Sequence, residues 1–122
     1  MRRIATIAAV ALGAWLLLAA PALAASPPAG PPYPNAVTGQ RVYDYAGIFR
    51  PDTITEAQSI IDGIESRTGA QVAVYTQLNP GSDTLDKANA DALALMNQWG
   101  VGRKGFDDGL VIMFDMRSSL HG

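Results

Sequence analysis

The 122-residue sequence contains no cysteine and a single histidine, His121. Without cysteine there is no disulfide, no thiolate nucleophile and no thiolate metal ligand. One histidine cannot supply the base of a nucleophilic triad unless its geometry is fixed, and His121 reads as part of a ragged terminus. Charge is also sparse, with nine basic and eleven acidic residues. Two of the basic ones, Arg2 and Arg3, fall in the N-terminal leader, which leaves seven against eleven. A nucleic-acid binder normally carries a basic face, so no nucleic-acid partner is expected. Long apolar runs are limited to one, at the N-terminus, and no second run is long enough to span a membrane.

That run has a recognisable form. Met1-Arg2-Arg3 is positively charged, Ile4 to Leu18 is apolar apart from Thr6, and Pro21 precedes Ala22-Leu23-Ala24. A basic start, an apolar centre and a small-x-small site make residues 1–24 a secretory signal peptide cut after Ala24. An uncleaved anchor is the alternative, because Ile4 to Ala20 nearly reaches spanning length. Either way the domain is expected outside the cytoplasm: exported to the periplasm, cell envelope or extracellular space. Residues 25–39 contain the proline-dense stretch Pro27-Pro28-Ala29-Gly30-Pro31-Pro32-Tyr33-Pro34. Prolines at this density favour extended polyproline II, which suggests a linker that spaces the domain from a nearby membrane.

Residues 40–122 form one domain. Val42 and Tyr43 suit a short strand ended by Asp44. Thr53 with Glu56 fits a capping box, with Asp52 as an alternative cap, and Ile54, Ala57, Ile61 and Ile64 recur at helical spacing. Gly69 supplies a left-handed cap. Gln71 to Leu78 is a β-branched and aromatic strand. Asp83 or Thr84 caps a second helix whose apolar stripe is Leu85, Ala88, Ala92, Leu95, Met96 and Trp99; Asp86, Asp91 and Asn97 are expected on its solvated face. Leu110 to Phe114 is a continuous apolar run, the pattern of a strand covered on both faces. Strand–helix–strand–helix–strand with short links predicts an α/β class domain, an α/β/α sandwich built from βαβαβ. The last strand has little sequence after it to cover its second face, so the domain is expected to be incomplete at its C-terminus.

Between the second helix and the last strand lies Trp99-Gly100-Val101-Gly102-Arg103-Lys104-Gly105-Phe106-Asp107-Asp108-Gly109. Gly100 to Gly105 satisfies G-x-G-x-x-G, but in a dinucleotide site those glycines leave a strand and open a helix. Here a helix ends and a strand begins, so a phosphate would meet the negative end of the helix dipole. No Ser or Thr follows Lys104, which excludes a Walker A loop, and Lys104 and Phe106 occupy positions an EF-hand gives to oxygen ligands. No nucleotide cofactor is expected. The simpler reading is a left-handed cap at Gly100 or Gly102, basic residues beside the helix's carbonyl end, and a turn at Asp108-Gly109.

Four ordered blocks resemble the TPM domain family: Val42-Tyr43-Asp44-Tyr45-Ala46-Gly47, Thr68-Gly69-Ala70-Gln71-Val72-Ala73-Val74, Trp99-Gly100-Val101-Gly102, and Asp107-Asp108-Gly109-Leu110. The resemblance covers Arg41 to Asp115. It implies an α/β/α sandwich on the extracytoplasmic side of a membrane, with a further strand and helices beyond Asp115. Many members have Asp-Asn where this chain has Asp107-Asp108. Members have been linked to acid phosphatase activity, to divalent-cation binding and to the upkeep of membrane complexes. Some bacterial members carry a methanol dehydrogenase label, which no residue here supports.

The remaining chemistry belongs to carboxylates. If the strands are parallel, Asp44 and Asp115 leave the carboxyl ends of two of them, the edge where open α/β sheets bind ligands. Asp107 and Asp108 enter the last strand at the opposite edge. Oxygen ligands of this kind suit a hard cation, Ca²⁺ or Mg²⁺. Their structural alternatives are a turn or cap role for Asp44 and an Asx turn at Asp108. Two functions follow: a binding or assembly module in a membrane-associated protein complex, or a divalent-metal-assisted acid phosphatase acting on phosphomonoesters.

Overall fold

A computed structural model describes residues 26–118. The signal-peptide reading of residues 1–24 and the terminal role of His121 lie outside that range. The elements are β1 (Val42–Asp44), α1 (Pro51–Thr68), β2 (Gln71–Leu78), α2 (Leu85–Trp99) and β3 (Gly109–Met116). The three strands form one sheet in the order β1-β2-β3, and both pairings are parallel. This is the expected α/β chain, with βαβαβ order.

Local signals explain the boundaries. Helix α1 starts without the expected capping box. Arg50 is the N-cap and makes no side-chain cap bond; Pro51 is the first helical residue. Proline has the helical φ built in and no N–H to satisfy, so it opens the helix unaided. Gly69 closes it in the left-handed region, its N–H donating to the Glu65 carbonyl at 2.8 Å. Helix α2 is capped by Thr84, whose hydroxyl accepts from the Lys87 N–H at 3.2 Å, and closed by Gly100 at φ 62°.

Two clusters make the core, one on each face of the sheet. On one face, Val42 and Val74 pack against Ile61 of α1, with Phe49, Ile54, Ala57 and Val72 around them. On the other, Tyr43 and Tyr75 pack against Leu95 of α2, with Trp99, Val111 and Met113. β3 lacks the double cover its sequence suggests. Leu110, Ile112 and Phe114 are 51, 39 and 37% exposed on the α1 face, while Val111 and Met113 meet the α2 face. Helix α1 sits over β1 and β2 and does not reach β3.

The proline-rich stretch, expected to be a spacer, is instead a strap across the α2 face. Tyr33 is 4% exposed and belongs to the core. Its N–H donates to Gln98 Oε1 at 2.8 Å, and Gln98 Nε2 donates back to the Tyr33 carbonyl at 2.7 Å. The Trp99 indole N–H donates to the Pro34 carbonyl, Gly30 N–H to Gln77 Oε1, and Ser26 Oγ to the Tyr45 carbonyl. Proline removes donors along the strap, so side chains of the domain supply much of its hydrogen bonding.

Candidate functional site

Asp44 ends β1 at the carboxyl edge of the sheet. Its Oδ1 accepts from the Ile48 N–H at 3.1 Å and the Thr76 hydroxyl at 2.7 Å, and its Oδ2 from the Phe49 N–H at 3.0 Å. Thr76 is fully buried and its hydroxyl also accepts from the Ala46 N–H. The carboxylate therefore braces the turn that carries the chain from β1 into α1.

Asp115 leaves β3 at the same edge but on the other face. Side chains alternate along a strand. Asp44 is in register with Thr76, and Asp115 with Gln77. The two carboxylates also sit on strands that flank β2, about 10 Å apart across the sheet. The structure does not bring them into one site.

Asp115 meets a different partner. Gln77 is 3% exposed, and its Nε2 donates to Asp115 Oδ1 at 2.5 Å. Asp115 Oδ2 is buried with no hydrogen-bond donor among the described residues. Asp91 of α2 stands beside it, held by a bond from Asn79 Nδ2 to Asp91 Oδ2 at 3.1 Å. Burial pushes the Asp115 carboxyl above the usual carboxylate range and Asp91 adds to the shift, while Gln77 and Ser82 pull it back. A like charge beside a half-buried carboxyl disfavours its ionised form, so Asp115 holds its proton more tightly than a free carboxyl does. Tyr33 lies over the group, its phenol pushed up to about 12 by burial and then by Asp91 and Asp115.

Asp91 is the residue sequence reasoning missed. It was expected on the solvated face of α2, yet it is half-buried. The signal was present: Asp91, Leu95 and Gln98 lie on one row at four- and three-residue spacing, and the strap rests on that row.

Asp107 and Asp108 stay at the opposite edge. Asp107 is exposed at φ 50°. Asp108 closes the glycine loop: Oδ1 accepts from the Arg103 N–H at 2.7 Å and Oδ2 from Arg103 Nε at 2.6 Å. That backbone N–H and the guanidinium hold its carboxyl below the usual range. The glycines serve close approach, since a Cβ on Gly102 would lie 2.8 Å from the Gly109 nitrogen, and one on Gly109 would run into the Val101 carbonyl. Among the described residues, no three His, Cys, Asp or Glu side chains converge.

A three-stranded parallel sheet, helices on both faces and carboxylates at both edges define a layered α/β domain with its polar groups at the strand ends. Residues 42–120 match the family model of the TPM domain, and the chain belongs to that family. No curated protein and no solved structure matches it.

Proposed function

We propose that this TPM domain is an exported binding and assembly module that works at the extracytoplasmic face of a membrane, within a membrane-associated protein complex. The observation that carries the reading is where the carboxylates are spent. Asp44 accepts three protein donors and Asp108 two, and each holds a loop in shape. Groups fixed in this way favour a rigid surface over a reacting centre. The signal-like leader supports export, and the strap docks the residues that follow it onto the domain.

A second reading rests on Asp91 and Asp115. A carboxyl such as Asp115, raised by burial, can act as a general acid toward a leaving group; alternatively, in its ionised form, it could with Asp91 ligate a Ca²⁺ or Mg²⁺ ion, which would supply phosphatase chemistry at the same edge. Hydrolysis of p-nitrophenyl phosphate, measured at acidic pH with and without each cation, separates the two. The binding reading expects no turnover and unchanged melting with cation. Cation-dependent turnover that disappears in Asp115→Ala would replace it with the phosphatase.

A further inference from the structure

The pairing of β1 with β2 stops one step early, and a side chain has taken the vacant place. Along β2 the backbone groups alternate in direction. Gln71 N–H donates to the Asp108 carbonyl, on the β3 side. Val74 N–H donates to the Arg41 carbonyl at 2.8 Å, on the β1 side. Parallel pairing continued upstream would join Val72 N–H to the Gly39 carbonyl and the Val72 carbonyl to Arg41 N–H. Gln58 of α1 intercepts both groups. Its Oε1 accepts from Arg41 N–H at 2.8 Å and its Nε2 donates to the Gly39 carbonyl at 2.8 Å. One amide side chain thus imitates a strand residue, and residues 39–41 bend toward α1.

Val72 is left with an N–H and a C=O that have no protein partner among the described residues. Between them and the diverted chain lies a cavity of about 250 Å³, walled by Tyr43, Trp99 and Val101. That is several times the ~30 Å³ share of one water molecule. A strand-spaced donor and acceptor beside aromatic walls are the complement of an extended backbone carrying apolar side chains. We infer that this notch takes a short extended peptide segment of a partner protein, added to β2 at Val72. The inference rests on the binding-module reading and gives its partner a chemical form.

The test is an amide NMR titration of the purified chain with acetyl-Ala-Val-Ala-N-methylamide. The Val72 amide and the Trp99 indole are expected to move in a saturable way at millimolar peptide. A probe methylated on its backbone nitrogens should bind at least about tenfold more weakly, the equivalent of one good contact. Gln58→Leu frees Arg41 N–H and the Gly39 carbonyl to return to Val72. It should close the notch, abolish binding and protect the Val72 amide without peptide. If that variant does not fold, the methylated probe still decides. No shift at Val72, equal binding of the methylated probe, undiminished binding by folded Gln58→Leu, or shifts confined to β3 would each overturn the inference. Phosphomonoester turnover in the same sample would remove the binding-module reading and leave the titration to stand or fall alone.

Discussion

The sheet has two faces, and they are closed to different degrees. On the α2 face the helix and the strap bury Tyr33, Tyr43, Tyr75 and Leu95, each at most 4% exposed. On the α1 face a single helix covers β1 and β2, and the apolar stripe of β3 stays open. The same kind of residue therefore does different work on each side. On the closed face an apolar side chain holds the fold together. On the open face it is only partly covered, as where Phe114 meets Phe49 edge-on, and presents the rest of its surface to whatever lies outside the domain.

Truncations should expose that difference most sharply. Tyr33→Ala removes a buried aromatic ring and its hydroxyl's hydrogen bond to the Asp91 carbonyl, and is expected to cost about 3–5 kcal/mol. Leu95→Ala should cost about 2–5 kcal/mol. Ile112→Ala, at the centre of the open stripe, should cost less, about 1–2 kcal/mol, because 39% of the residue is already exposed. Urea melts of the three variants measure all of these. Equal losses for Leu95→Ala and Ile112→Ala would mean that the open face is covered in solution, and no loss for Tyr33→Ala would mean that the strap is not part of the fold.

A second comparison lies along the carboxyl edge. Asp44 is surrounded by donors and Asp115 faces another carboxyl. Asp44→Ala strips acceptors from Ile48, Phe49 and the buried Thr76, and should cost about 2–3 kcal/mol in the same melts. A cost near zero would show that water replaces the carboxylate at that turn, and the brace assigned to Asp44 would lapse.

The residues that announced the fold are those whose signals are local. Thr84 as a cap, Gly69 and Gly100 as left-handed stops, and the β-branched run at Val72 to Thr76 each act through neighbours within a few positions. The TPM blocks were legible for the same reason, since they hold these turns. What the sequence hid depends on distant contacts. The proline run has polyproline character alone; only the row of Asp91, Leu95 and Gln98 on α2 makes it a strap. Asp44 and Asp115 looked like one edge site because their strand positions are equivalent. Facing is set by register, and register placed them on opposite sides. Continuous apolar residues from Leu110 to Phe114 likewise carried no sign of which face would stay uncovered.

The smallest expected effect is the most specific to the Asp91–Asp115 contact. A carboxyl whose pKa is raised by folding binds protons more tightly in the folded state than in the unfolded one. Its contribution to stability is then full below the ordinary carboxylate value and is lost as pH rises through the folded value. Asp115 is raised by burial and by Asp91, so it should lower stability as pH climbs out of the acidic range. Carboxyls such as Asp108, held down by their donors, act in the opposite sense. Asp115→Asn keeps the acceptor that Gln77 needs and removes the charge. Relative to the parent chain, it should therefore gain stability progressively from the ordinary carboxylate range upward, and the two curves should converge in strong acid. Melting curves across acidic to neutral pH measure the difference. Parallel curves would mean that Asp115 ionises as freely in the folded chain as in the unfolded one, and that Asp91 is no partner to it.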